Sequence, residues 1–437
     1  MALDYGYTIR IQSNGTSDPT KTPTNQWQRK LSGQSNFVDI AGEKGTTYLV
    51  NRADQSGEIR LKQDFSGSVA YSNALTVTSS SPPPPDIDSV TWERIPGTPS
   101  GDFVSLKHSK DYSTLIALET KYWENKSGNN LFWYSQDGGE TWNKQTLSSA
   151  SLSAQWAIEG PDSKTWYIQN LGRAPSGQTN HMFVSKITNL TSLTPTINYP
   201  SLNDSTQDSL AYINGALYAN TSQSATNNDS DRRHGTAKLF KSTNDGSTWT
   251  EMYHFPETDW TNQINNAAYN GDSMTYIDGW YYLVGTSHDY RQFGGKVYFM
   301  LCKAQNPSGP WTKAMRWSES INRWNYDCPG VQKMQGEIHT VQAADWLYTT
   351  SNPVTTMTKK ARDDRNYYHG FNYSKDKTIT FTITMTSSSD GVLYTSKPSK
   401  GWENVSGSGA AGKKHAVVEG NGRWILATSN GLWRSKN

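Results

Sequence analysis

The sequence predicts an all-β chain: a small sandwich at the N-terminus and, after a proline-rich joint, a long array of hairpins. Three observations carry that prediction. Short runs alternate apolar and polar residues, few stretches keep a helical period, and Gly, Asn and Asp fall between the runs at turn positions. The 437 residues include 17 Trp and 24 Tyr, large side chains suited to filling sheet cores or to meeting sugar rings.

Residues 1–78 are the first unit. Tyr7–Ile11, Asn25–Arg29, Phe37–Ile40, Thr47–Val50, Gly57–Leu61 and Ala74–Val77 alternate as strands, with Trp27 as the expected core plate. Ala53-Asp54-Gln55-Ser56-Gly57 reads as the turn into a late strand. This W…Y…AD-x-x-G-x-IR arrangement resembles the Ig-like modules of bacterial adhesins and phage virion proteins. The resemblance implies a module that holds or spaces other parts and catalyses nothing. It lacks the paired cysteines of antibody domains.

Residues 79–87 are a Ser/Pro-rich linker, with SSSPPPPD from Ser79 to Asp86. Four prolines favour an extended, stiff spacer. From residue 88 to 437 hairpins recur at Phe103–Leu118, Gln155–Gln169, Ser209–Asn220, Ser273–Gly285, Ile338–Ser351, Gly370–Ile383 and Ala416–Thr428. Their turns carry Asp111, Asp162, Asn214-Gly215, Asp278-Gly279, Asp345, Asp376 and Asn421-Gly422. Most intervals suit a four-stranded repeat unit, but Asp345 to Asp376 is only 31 residues.

Two turns share a fuller pattern: Ser135-Gln136-Asp137-Gly138-Gly139-Glu140-Thr141-Trp142 and Ser242-Thr243-Asn244-Asp245-Gly246-Ser247-Thr248-Trp249. Ser and Asp or Asn can bond to the turn's own amides, Gly139 and Gly246 permit a backbone most residues resist, and Trp142 and Trp249 supply apolar plates. Gln305–Trp311 and Ser396–Trp402 look like decayed copies. The pattern S-x-D-x-G-x-T-W resembles the Asp-box (BNR repeat) of sialidase-like β-propellers. The resemblance implies a β-propeller in which the box is a structural clip, and the seven recurring hairpins count seven blades, with six as the alternative. The last strand, Gly431–Asn437, and the first, Ser89–Ile95, would share one blade and close the ring.

In a propeller the first strand of each blade lines the channel, and its starting residues ring one mouth. That ring is expected to hold Asp102, Gln155, Asp208, Asp272, Glu337 with His339, His369 and His415. Carboxylates so placed could act as acid and base on a glycoside, bind sugar hydroxyls or an ion, or form a solvated rim. Arg94-Ile95-Pro96 matches a sialidase motif, but Glu93 replaces the preceding aromatic, and Trp92 marks the strand as an outer one. Trp123, Trp260, Trp324 and Tyr367 lie in aromatic-bearing insertions and are candidate glycan contacts.

The formal net charge is +2 with no basic stripe, so no nucleic-acid partner is expected. Apolar runs are too short for membrane insertion. Met1-Ala2-Leu3-Asp4 lacks the features of a signal peptide, so synthesis in a host cytoplasm is expected. Cys302 and Cys328 cannot build a disulfide framework. Histidine spacing supports no zinc site, the loop Asn227–His234 lacks the central Gly and final Glu of a calcium loop, and no cofactor is expected. The reading is a non-enzymatic phage surface protein: the Ig-like module binds other virion proteins and the propeller binds host cell-surface glycan. A propeller glycoside hydrolase and an assembly scaffold are the alternatives.

Overall fold

The computed structural model describes residues 3–4, 6–12, 20–78, 84–119, 131–146, 152–172, 181–190, 192–194, 209–222, 237–255, 274–288, 296–320, 331–334, 337–342, 345–349, 352–360, 367–385, 392–396, 402–404 and 408–436. Among them there is no α-helix, and no helix is long and apolar enough to cross a membrane.

In the N-terminal unit, Thr8–Arg10 pairs with Thr47–Leu49. A second sheet runs Val38–Asp39, Thr24–Lys30, Glu58–Asp64, Val69–Tyr71, with Leu75–Thr76 also on Glu58–Asp64. Glu58–Asp64 buries every second residue, so Ile59, Leu61 and Gln63 face inward while Arg60 and Lys62 face out. Trp27 stacks on Tyr48 at 5.6 Å among Val50, Ile59, Leu61 and Val77. The Ala53–Gly57 turn is held by Asp54, which accepts from the Tyr48 hydroxyl at 2.6 Å and from Asn51 N at 2.9 Å. Gly57 is required there, since a Cβ would meet Lys30 O at 2.9 Å.

Beyond the linker the described residues form seven antiparallel sheets of four strands each. Blade 1 is Phe103–His108, Leu115–Glu119, Leu131–Ser135 and Asn143–Thr146. Blades 2, 3, 4, 5 and 6 start at Leu152–Glu159, Ser209–Ile213, Met274–Ile277, Gln332–Met334 and Tyr367–Tyr373. Blade 7 takes Lys414–Glu419, Trp424–Thr428 and Gly431–Ser435 from the C-terminal end and Trp92–Arg94 as its outer strand. The register there is Trp433 with Arg94 and Ser435 with Trp92. First strands of neighbouring sheets touch around the ring, back to blade 1, except that blade 5 meets blade 6 through its second strand. The result is a propeller closed by pairing of its own first and last strands, Trp92–Arg94 and Gly431–Ser435.

The core is a series of layers between blades. Blades 7 and 1 share Val418, Ile425, Leu115 and Trp133; blades 6 and 7 share Phe381, Val417 and Trp424. Trp166 and Trp424 are the largest side chains removed wholly from water. Each first strand begins at what we call the upper face and turns into the second at the lower face. Turns between third and fourth strands, including both boxes, therefore lie at the lower face.

One expectation changes. Ile338–Ser351 spans the second and third strands of blade 5, Glu337–Gln342 and Asp345–Thr349, not the first and second. The first strand is the three-residue Gln332–Met334, whose pairing with Glu337–Gln342 closes between Met334 and Glu337. The 31-residue interval arose because the turn at Asp345 was matched to turns of another kind. The described end of the linker lies against the ring. Pro85 O accepts from the Trp424 indole at 2.8 Å, and Ile87 and Val90 are buried with Trp92 and Trp424.

Candidate functional site

The lower face is stitched by side chains that satisfy its own turns. In blade 1, Ser135 Oγ donates to Asp137 Oδ1 at 2.7 Å and accepts from Gly139 N at 2.7 Å, while Thr141 N donates to Asp137 at 2.9 Å. The Trp142 indole donates to Gly139 O at 3.1 Å. Burial pushes the Asp137 carboxyl up, but these donors outweigh it and hold it below the usual carboxylate range. In blade 3, Ser242 donates to Asn244 Oδ1 at 2.9 Å, Gly246 N donates to Ser242 Oγ at 2.9 Å, and the Asn244 amide donates to Thr248 Oγ1 at 2.9 Å. Trp249 packs at the edge of the layer shared by blades 2 and 3. Both boxes also tie blades together. Glu140 pairs with Arg423 at 3.0 Å and Arg434 at 2.7 Å in blade 7. Asp245 accepts from the Tyr167 hydroxyl and pairs with Lys186 at 2.6 Å in blade 2. The decayed copy at Gln305–Trp311 occupies the matching turn of blade 4, where the Trp311 indole donates to Pro307 O at 3.0 Å. Residues 397–401 of the other lie outside the described residues.

The N-terminal unit docks on this same face. Arg52 meets Asp376 through Nε at 2.8 Å and through its backbone N at 2.9 Å, and Nη2 reaches Glu419 at 3.1 Å. Asp376 and Glu419 have fully buried side chains. Burial would raise the Asp376 carboxyl, but the Arg52 guanidinium and its hydrogen bonds hold it below the usual range. Lys375 Nζ pairs with Asp4 at 2.9 Å, beneath a Gly6 that has no room for a Cβ.

Of the residues expected to ring the upper mouth, the structure describes Asp102, Gln155, Glu337, His339, His369 and His415. Asp102 Oδ1 lies 3.1 Å from His415 Nε2, at the starts of the first strands of blades 1 and 7. Burial lowers the nearby Lys413 ammonium, and Asp102 opposes that shift. Glu119, which the sequence reading missed, is buried at the same face and accepts from the Trp133 indole at 3.1 Å. Gly101 makes room for it, since a Cβ there would sit 1.9 Å from Glu119 Oε1. The signal was the Gly101-Asp102 pair opening the first strand.

Glu337 and His339 do not belong to that ring. They sit on the second strand of blade 5, near the lower face, 3.0 Å apart, with the His339 side chain buried. The misassigned strand is the reason. His369 and Tyr367 lie in the first strand of blade 6 and Gln155 in that of blade 2. Asp208, Asp272, Trp123, Trp260 and Trp324 lie outside the described residues, as do Cys328 and the loop 227–234. Arg94 is on the outermost strand of blade 7, with Nη2 donating to Thr98 O at 3.3 Å, far across the sheet from the channel strand. Burial pushes the Cys302 thiol up. Among the described residues no cluster of His, Cys, Asp and Glu could hold a metal ion.

No protein-family model and no curated protein matches the chain. Among solved structures, it is similar to a prolyl endopeptidase (10% identity, TM-score 0.41), covering 88% of this chain and 50% of that one. The chain thus spans about half that enzyme's length. It is similar to an α-L-arabinanase of Penicillium chrysogenum (12% identity, TM-score 0.45), covering 72% of this chain and 96% of that one. It is also similar to the endosialidase of phage phi92 (12% identity, TM-score 0.33), covering 67% of this chain and 49% of that one. The assignment as a propeller rests on the strand order and the closure of the ring.

Proposed function

We propose that this chain is a non-enzymatic, glycan-binding protein of a bacteriophage surface. Residues 1–78 serve as an Ig-like module that faces other virion proteins, and residues 88–437 present the upper face of the propeller to the host cell. The observation that carries this reading is the polarity of the ring. The lower face is occupied by self-bonded turns and by the docked N-terminal unit. The strands that flank Trp123, Trp260 and Trp324 end at the upper face, where Tyr367 also begins its strand. Long connections on a rigid ring, carrying aromatic residues beside Asn, Asp and Arg, suit the recognition of sugar rings and hydroxyls.

Of two described carboxylates of the upper face, Glu119 is engaged by the Trp133 indole, which supports binding over hydrolysis, while Asp102 Oδ1 lies 3.1 Å from His415 Nε2 with no hydrogen bond between them. The test is a glycan array and host-envelope polysaccharide, run with the whole chain and with W123A, W260A and W324A. Binding that falls at least about tenfold in these variants supports the reading, a loss of about 1.4 kcal/mol or more. Reducing ends released by the wild type and lost in D102N would replace it with the hydrolase reading. No binding, together with a place inside the particle by electron microscopy, would replace it with the scaffold.

A further inference from the structure

The lower face contains one arrangement twice. In blade 6, Ser374 Oγ donates to Asp376 Oδ1 at 2.7 Å and accepts from Ile379 N at 2.9 Å; Ser374 N donates to Ile379 O at 2.9 Å. In blade 1, Ser109 Oγ donates to Asp111 Oδ1 at 2.5 Å and accepts from Thr114 N at 3.0 Å; Ser109 N donates to Thr114 O at 2.8 Å. The third residue after each serine takes a positive φ, +53° at Lys377 and +59° at Tyr112. Each turn is then tied to the next blade in the same way. Lys375 N donates to Glu419 Oε2 at 2.7 Å, and Lys110 N donates to Glu159 Oε2 at 2.7 Å. Both glutamates end the first strand of their blade.

The two copies differ in what fills them. Between blades 6 and 7, Arg52 spans Asp376 and Glu419, and both carboxylates are buried beneath it. Between blades 1 and 2, no arginine among the described residues reaches Asp111 or Glu159. Asp111 is exposed and takes a hydrogen bond from the Ser163 side chain of blade 2, and Glu159 is half-buried. Asp162 adds a third carboxylate near Glu159, with Lys110 as the nearby cation. Lys110 Nζ lies 6.0 Å from the Tyr212 ring centre.

We propose that the junction of blades 1 and 2 is a second arginine socket, which takes the guanidinium of a partner protein's loop as the first takes Arg52. The filled copy shows what this geometry holds: a planar fork that can meet two carboxylates at once. Lys110 matches Lys375, whose ammonium takes Asp4 from a different segment than Arg52, so the fitting partner surface presents an acid near its arginine. Burial pushes the Glu159 carboxyl up to about 7, a cost that an arriving guanidinium removes.

The test is carboxyl-detected NMR on the full chain with 13C-labelled Asp and Glu. Methylguanidinium chloride is titrated in, with methylammonium chloride at equal ionic strength as the comparison. The Glu159 midpoint is expected to fall saturably by about one pH unit with methylguanidinium alone, since a cation within a few ångströms lowers a carboxylate by that much or more. Glu419, already engaged by Arg52, stays still, and D111N removes the Glu159 response. Equal responses to the two cations, or none, overturn the proposal. Both outcomes are read on the unaltered chain, so the conclusion does not depend on a variant folding.

Discussion

At the lower face of blade 3 the chain reverses in two residues, Asn214 and Gly215, between strands paired up to Ile213 and Ala216. At the upper face of blade 1, eleven residues separate Glu119 from its partner Leu131. The contrast recurs in blade 3, where fourteen residues separate Ser222 from its partner Ala237, but not in blades 5 and 7, whose upper reversals between Gln342 and Asp345 and between Thr428 and Gly431 take two residues. Where it holds, it has a physical origin. Each lower turn satisfies its own polar groups: Ser, Asp or Asn accept from backbone amides, and residues such as Asn214, Asp245 and Asp278 adopt positive φ. Such turns are cheap to order and leave a face rigid enough to dock another unit. Several upper connections, such as those of blades 1 and 3, are long, and long connections on a rigid frame are where binding functions gather. The lower face holds the N-terminal unit.

The harshest way to break that contrast is to remove the pin of the docked face. Arg52→Ala leaves Asp376 and Glu419 buried with no guanidinium. Breaking such a buried pair from one side costs about 3–5 kcal/mol. Water offers the least costly relief, so the N-terminal unit is expected to lift from the ring while the blades stay folded. Hydrogen exchange at residues 374–379 should then speed up, and the radius of gyration should grow. Unchanged exchange and size would show that Arg52 is incidental to docking. The sign with pH follows from the lowered Asp376 carboxyl. Its contribution is complete above the unfolded carboxylate range, about 3.9, and is lost as pH falls toward the folded value. R52A should weaken that acid-side loss.

Next in size is the box of blade 1. Gly139 has φ +96°, and a Cβ there would lie 2.6 Å from Ile425 of blade 7. Gly139→Ala therefore combines a strained backbone with overpacking between the closing blade and its neighbour. We expect roughly 2–4 kcal/mol of lost stability in urea unfolding. Gly215→Ala is the comparison: the φ is +81°, but nothing lies within 4 Å, so only the backbone term remains, about 1 kcal/mol. Equal losses would mean that the box does not stitch blades.

Glu159 sharpens the contrast within the lower face. Its folded carboxyl is raised to about 7, so the folded chain binds more protons than the unfolded one between about 4.5 and 7. Stability should fall across that window as pH rises. Glu159→Gln keeps an acceptor for Lys110 N and removes the charge. It should flatten the slope, a difference of about 1–3 kcal/mol at neutral pH after screening by solvent. An unaltered pH profile would show that Glu159 is better hydrated than its burial implies.

Local features were legible in the sequence. Both S-x-[DN]-x-G-x-T-W turns, the first-strand hairpins of six blades and the pairing of Gly431–Ser435 with Trp92–Arg94 each depend on residues close in sequence or at the chain ends. What depended on distant partners was not. Gln332–Met334 is too short to show alternation, so the blade 5 hairpin was read one strand late. Arg52 looked like an ordinary polar residue, because its partners lie more than three hundred residues away. The two Ser-Lys-Asp turns showed only as turn chemistry, because the glutamate that completes each one sits on the following blade. The ring at the upper mouth was legible as a placement for Asp102 and His415, but not as a contact between them.

The smallest effect separates the two boxes from each other. Blade 3 carries Asn244 where blade 1 carries Asp137, and both accept from the backbone N four residues on at 2.9 Å. Asp137→Asn imports the blade 3 chemistry: one acceptor oxygen is kept, and the second becomes an amide that can donate to Thr141 as Asn244 donates to Thr248. What is lost is charge assistance, so the cost should be about 1 kcal/mol at neutral pH. Because the Asp137 carboxyl is held below its usual range, that cost should shrink as pH falls below the unfolded value of about 3.9 and onward through the folded one. Urea midpoints of wild type and D137N should therefore converge in acid. A gap that persists there would mean that the box is set by the geometry of the oxygen pair and not by its charge, making Asn244 a weaker clip at every pH.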